Sequence, residues 1–227
     1  MQKPLLALLA IIALVVGAYL LLAGRADAPI AEEILKPLTL AVSTTTIAEK
    51  TSDYEIDARY PQFGAPAVDT KIRTLVEGDI AELKGDAEGR ALDAPDMPPY
   101  QYDAFFDHVY RGPDVVSARL MTNVYTGGAH GLPTVIGINI DRVSGRELTL
   151  DDALEMIGLS LRQLATEAKR QLEANQGEPL QFPEGASPVQ ENYATFYISK
   201  DKVTFVFQPY QVAAYAAGAP EISIPRK

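Results

Sequence analysis

Apolar and polar positions divide the chain into segments of different period. Leu5 to Ala23 is apolar throughout and carries no charge. Its length matches the roughly 20 helical residues that cross a ~30 Å hydrocarbon core, which predicts a transmembrane anchor over residues 1–24. Residues 25–37 are mixed, carry two prolines and suit a tether. From Leu38 the pattern becomes strand-like. Leu38, Leu40 and Val42 alternate ahead of a threonine run, and Tyr54, Ile56 and Ala58 share one face of a second strand ended by Tyr60-Pro61. Between Ala65 and Leu83 the spacing turns helical, with Val68, Ile72, Leu75, Val76, Ile80 and Leu83 on one stripe.

Gly85 to Pro99, rich in acidic residues, glycine and proline, reads as an exposed loop. Tyr100–Tyr110 and Val115–Tyr125 flank Arg111-Gly112-Pro113-Asp114 as a hairpin, and Thr134–Asp141 adds a strand. Asp151 or Asp152 can cap a short helix, and a longer one runs from Leu159 to about Asn175, stopped by Gly177. Tyr193–Ile198 and Val203–Gln208 form a last hairpin. Pro209–Gly218 is a bend or a helix of one to two turns, and Glu221–Pro225 closes the chain as a strand. Grouped strands with segregated helices predict an α+β ectodomain over 38–227, with antiparallel sheets and helices packed on one face. The element order allows two similar sheet-plus-helix lobes, at about 38–114 and 115–227.

Charge and composition narrow the function. The chain holds 20 basic and 30 acidic residues, a net charge of −10. Without Lys3 the part beyond the anchor stands at −11, with 19 basic residues. That surface repels nucleic acid and anionic headgroups and steers basic partners toward it. Cysteine is absent, so neither a disulfide nor a thiolate-ligated metal is available. Lys3 ahead of the anchor gives a weak positive-inside bias. This predicts a single-pass protein of the inner (cytoplasmic) membrane with its domain periplasmic or extracellular. A cleaved signal ending at Ala26-Asp27-Ala28 is the rival reading; Pro29 and the long apolar core speak against it.

Val116-Ser117, Tyr125-Thr126-Gly127-Gly128-Ala129-His130-Gly131, Asn139-Ile140-Asp141, Ser144-Gly145 and Leu148-Thr149-Leu150-Asp151-Asp152 form the most distinctive series. With Phe205-Val206-Phe207-Gln208-Pro209-Tyr210-Gln211 through Gly218, and with Tyr54-Glu55-Ile56 and Tyr60-Pro61, the stretch from about Leu38 to Pro225 resembles the RsiV-like extracellular domain family. That family occurs in lysozyme-sensing anti-sigma factors and as an accessory domain of some peptidoglycan deacetylases. The resemblance implies a non-enzymatic recognition module that binds lysozyme-type muramidases or another basic protein as inhibitor or sensor. A peptidoglycan- or glycan-binding accessory role is the alternative, and a hydrolase with an unrecognised site a further one. Only four residues precede the apolar stretch, so direct anti-sigma activity is not expected.

The candidate binding residues are Tyr125, Gly127, Gly128, His130, Pro209, Tyr210 and Tyr215. The glycine pair permits positive φ and close backbone approach beside the His130 ring. The tyrosines are amphipathic anchors of the kind enriched at interfaces. Each also has a structural explanation: a hairpin in which His130 bonds a carbonyl, and packing of the tyrosines in corners. The five-residue spacing of Tyr210 and Tyr215 keeps them off a common helical face, which points to separate roles. No nucleophile elbow, His-Glu-x-x-His, phosphate loop or dinucleotide fingerprint occurs, so no catalytic residue, metal ligand or cofactor is assigned. Ser117, His130 and Asp141 can be written as a triad only as an arbitrary combination. His108 reads as a sheet histidine on the face opposite Asp107.

Overall fold

The computed structural model describes residues 40–90 and 96–227. The expected anchor, the tether and Leu38 lie outside the described residues. Among those described, no helix is long and apolar enough to cross a membrane.

A five-stranded sheet is ordered β1 (Ser43–Lys50), β2 (Tyr54–Gln62), β3 (Tyr100–Arg111), β4 (Val115–Tyr125), β5 (Leu132–Asp141). All pairs are antiparallel except β2 and β3, which run parallel from Tyr54↔Tyr100 to Ala58↔Ala104. The sheet is therefore mixed rather than antiparallel throughout. The cause is the helix α1 (Pro66–Ala87), inserted between β2 and β3: a crossover helix returns the chain in the same direction. Pro66 occupies the first turn, where its missing N–H costs nothing, and the Asp69 carboxylate accepts from the Phe63 N–H at 2.7 Å. Val68, Ile72, Val76, Ile80, Leu83 and Ala87 are buried from α1, and all but Ala87 join Ile56, Ala58, Tyr60, Tyr102 and Ala104 in one core.

The first strand is displaced from its expected place. Leu40 is buried but outside any strand, and β1 is the threonine run itself. An edge strand with both faces largely exposed accepts polar β-branched residues, and its polar side chains suit an unpaired edge. β2 also runs past Pro61 to Gln62. Beyond Ala58 it has a neighbour on one side only, where a missing N–H is tolerated.

A second sheet is ordered β6 (Phe196–Ile198), β7 (Lys202–Val206), β8 (Glu221–Pro225). One of its faces contributes Phe196, Ile198, Val203, Phe205, Ile222 and Ile224 to a core shared with α2 (Leu150–Ile157) and α3 (Leu161–Gln176). From its other face Tyr197 and Val206 pack on Val135 of β5. The lobe boundary expected near 114/115 falls in the β3–β4 turn, and both of those strands belong to the first sheet. Tyr193, expected in a strand, sits in a one-turn 3₁₀ helix, with its hydroxyl donating to the Ala186 carbonyl at 2.7 Å and its pKa pushed up to about 12 by burial.

The cap of α2 is Thr149, not an aspartate. Asp152 takes the third helical position and completes a reciprocal capping box. Arg146 donates to both Asp152 oxygens, at 2.7 and 2.6 Å, and this pairing above all holds the carboxyl well below the usual carboxylate range. A carboxylate with a depressed folded-state pKa contributes stability above its unfolded value of about 3.9 and loses it as pH falls through the folded value. Arg146 is half exposed, so the contribution is screened. An Asp152→Asn variant should be about 1 kcal/mol less stable at pH 7, with the deficit closing below about pH 3 in denaturant titrations.

The two layers meet over β5. An added Cβ on Gly137 would land on the Phe196 carbonyl oxygen and within 2.6 Å of its carbon, so β6 can approach only because position 137 has no side chain. Beside it, the buried Asn139 amide donates to the same carbonyl at 2.8 Å. Asn139 also accepts from Ser117 Oγ at 2.7 Å, and that oxygen accepts from the Ile198 N–H at 2.8 Å. Two glutamine amides cover strand edges: Gln208 bonds the Val135 N–H and carbonyl at 3.0 and 2.7 Å, and Gln171 bonds those of Ser223 at 3.2 Å each.

Candidate functional site

The expected binding residues divide between two sides of the loop that joins β4 to β5. On one side, His130 and Tyr215 stack with ring centroids 3.7 Å apart and planes at 15°. Tyr210 joins them, its ring 5.6 Å from Tyr215 and its hydroxyl 3.4 Å from His130 Nε2. The Gly131 carbonyl lies 2.8 Å from His130 Nδ1 and accepts from the Tyr215 hydroxyl at 3.1 Å. A histidine with its proton on Nδ1 satisfies both contacts, donating to the carbonyl and accepting from Tyr210. One carbonyl thus fixes two rings, and the two tyrosines act together, contrary to the expectation from their spacing.

The bend at Gln208–Gln211 explains how. The Gln211 N–H donates to the Gln208 carbonyl at 2.9 Å, Pro209 takes the second position and Tyr210 the third, at φ 69°. This is the arrangement of a type II turn, whose third position favours glycine. Tyrosine in the left-handed region costs about 1–2 kcal/mol. Surrounding bonds hold it there: Gln211 Oε1 accepts from the Gln208 N–H at 2.8 Å, and Gln211 Nε2 donates to the Gly185 and Asn192 carbonyls, each at 2.9 Å. Tyr210 is 50% exposed, and Leu132, two residues after His130, is 60% exposed. The result is an open ledge of three rings.

On the other side of the loop, Gly127 adopts φ 91°, a conformation that favours glycine. Thr126 and Gly127 line a cleft with Asp86, Glu88, Arg90, Met97 and Tyr100. Gly128 is exposed, and Tyr125 pairs with Gln101 at the end of β4. The sequence singled out neither Arg90, Met97 and Tyr100, which fall in or beside a segment read as loop, nor Leu132. Their only signal was apolar and aromatic residues within a stretch otherwise suited to solvent.

Ser117, His130 and Asp141 do not converge. Ser117 is buried between Asn139 and Ile198, while Asp141 accepts from Val143 and Ser144 in its own turn, with Ser144 N–H at 2.6 Å. Among the described residues no group of His, Cys, Asp and Glu has the makings of a metal site.

His108 departs from the expected alternation. A bulge between Asp107 and Tyr110 places it at φ 50°, and its ring lies on Tyr197, with centroids 4.8 Å apart and Nε2 3.8 Å from Asp107. Arg119 bridges the sheets beside it, donating to Asp107 at 2.9 and 2.8 Å and to Glu221, which also accepts from the Tyr197 hydroxyl at 2.9 Å. Every charge in this network has a protein partner, which makes it a brace between layers.

Sequence and structure comparisons bear on the whole domain. Residues 47–133 match the family described as Deacetylase PdaC, and residues 151–227 match a protein family of unknown function, DUF3298. The chain is 25% identical over 187 residues to the peptidoglycan-N-acetylmuramic acid deacetylase PdaC of Bacillus subtilis (strain 168), covering 81% of this chain but only 39% of that protein. A DUF3298 family member from Bacteroides fragilis superposes with a TM-score of 0.56 at 21% identity, covering 83% of this chain and 92% of that one. A DUF3298 family protein from Pseudomonas aeruginosa gives 0.55 at 23% identity, over 85% and 92%. These structures share the fold. The sequence matches carry the deacetylase side of the resemblance read from the motifs.

Proposed function

We propose that the chain is a non-catalytic recognition module of the cell envelope, held at the membrane by its N-terminal segment, and that the His130–Tyr210–Tyr215 ledge binds the glycan of peptidoglycan. The observation that carries this reading is the ledge itself: rings from segments about 80 residues apart meet on an open surface, and one is kept in a strained turn. Such strain persists where a side chain is needed for something other than stability. Aromatic faces stack on the C–H faces of pyranose rings while the hydroxyl and imidazole edges reach sugar oxygens. The similarity to a peptidoglycan deacetylase supports the choice of polymer.

Tyr210→Gly tests the ledge, because glycine suits the turn while the ring is lost. Stability should stay within about 1 kcal/mol of the parent, the relieved backbone offsetting lost ring contacts. Affinity for purified sacculi or soluble muropeptides should fall at least tenfold, or about 1.4 kcal/mol. Unchanged affinity with an unchanged melting temperature would remove the ledge from the binding site.

A second reading has its own observation. The outward face of β2 and β3 carries Glu55, Asp57 and Asp103 around the exposed Phe105, with Lys50 paired to Glu55 and Arg59 to Asp57, on a chain of net charge −10. This face suits a basic protein such as a lysozyme-type muramidase. Binding through it would weaken steeply with added salt, whereas ledge stacking would not.

A further inference from the structure

The cleft on the far side of the β4–β5 loop has features the glycan reading leaves unused. It encloses about 330 Å³ between the end of α1, the approach to β3 and the Thr126-Gly127 backbone. Arg90 lines it and is only 8% exposed, with its guanidinium carbon 4.9 Å from the Tyr100 ring centroid. Arg90 Nη1 is buried and has no hydrogen-bond partner. A buried donor on a charged group left unsatisfied is costly, and such groups in folded proteins call for a specific explanation. Asp86 and Glu88, both exposed, stand in the same lining. Met97 and Tyr100 supply apolar surface, and Gly127 turns the chain past them at φ 91°.

One cation set within the wall and two carboxylates on exposed residues define a polarity. A simple anion would meet Arg90 but be repelled by Asp86 and Glu88, and a simple cation the reverse. A ligand carrying a carboxylate at one end and an ammonium nearby satisfies both. A guanidinium presents paired donors that match a carboxylate, and stacking on Tyr100 orients the plane of that fork. We infer that this cleft binds a zwitterionic amino acid or dipeptide, with its carboxylate on Arg90 and its ammonium toward Asp86 and Glu88. This inference does not rest on the ledge, since it concerns other residues and another ligand class.

The test uses the full chain in detergent and three probes followed by calorimetry and thermal shift: alanylalanine with free ends, the same dipeptide acetylated and amidated, and inorganic phosphate. Free alanylalanine should bind and raise the melting temperature, while the blocked dipeptide and phosphate should bind at least tenfold more weakly. Arg90→Met should abolish that ligand-induced shift while leaving the ligand-free melting temperature unchanged or raised, because it removes an unpaired buried donor. Three results would overturn the inference: equal binding of phosphate, equal binding of the blocked dipeptide, or no binding of the free one. A fall in the ligand-free melting temperature of Arg90→Met would also overturn it, by showing that the guanidinium braces the fold. Tyr210→Gly should leave alanylalanine binding intact, which separates failure here from failure of the ledge.

Discussion

A Gly137→Ala variant should melt about 6–12 °C below the parent chain, reflecting a loss of roughly 3 kcal/mol or more in a domain of this size. The three atoms nearest the added methyl would all be backbone: the Phe196 carbonyl oxygen, its carbon at 2.6 Å and the Phe196 nitrogen at 3.0 Å. No rotamer change can relieve it. β6 must move off β5, and in moving it stretches the Asn139 bond to the same carbonyl and the Ile198 bond to Ser117. Gly78, in the middle of α1, gives the opposite expectation. A Cβ there meets nothing within 4 Å, so Gly78→Ala should stabilise the helix by about 0.5–1 kcal/mol. A Gly137→Ala melting temperature within about 2 °C of the parent would show that the layers do not touch at this point.

Gly137 also marks how far the sequence could be read. The stripe of α1 was legible because burial on one helix face leaves a 3.6-residue signature whatever it packs against. The end of α3 was legible because Gly177 is a local device, a left-handed C-cap, whereas its start, expected at Leu159, lies two residues on behind the unread Ser160 cap. What failed was information held between distant segments. The parallel pairing of β2 with β3 depends on where α1 returns the chain, and no property of Tyr54–Ala58 states it. β1 was misplaced because hydrophobic alternation marks half-buried strands, whereas an exposed edge strand of threonines owes its place to hydrogen bonds with β2. His108 broke the alternation because a bulge adds one residue to β3 and turns the rest of the strand.

The ledge was half legible for the same reason. His130, Tyr210 and Tyr215 were each recognisable as chemically versatile residues in turn-rich segments, but spacing argued against their acting together. It was the type II turn at Pro209-Tyr210 and the Gly131 carbonyl that joined them. Tyr125 and Gly127, which the sequence grouped with them, belong instead to the opposite side of the loop. The most conspicuous polar residues of the motifs, Ser117 and Asn139, proved to be joinery between layers, since both are buried and their hydrogen bonds run between strands of the two sheets.

That joinery sets the second large effect. Asn139→Ala leaves the Phe196 carbonyl without its amide donor and the Ser117 hydroxyl without its acceptor, both in a buried site. Each orphaned group costs about 1–3 kcal/mol, so the variant should lose roughly 3 kcal/mol in denaturant titrations. Ser117→Ala removes the acceptor of the Ile198 N–H and the donor to Asn139, and should lose about 2 kcal/mol by the same reasoning. The two changes share one bond, and each single variant already counts its loss. The double variant should therefore lose less than the sum, by about 0.5–1 kcal/mol or more. Strict additivity would mean that Ser117 and Asn139 reach the second sheet independently, and the relay from β4 through β5 to β6 would have to be abandoned.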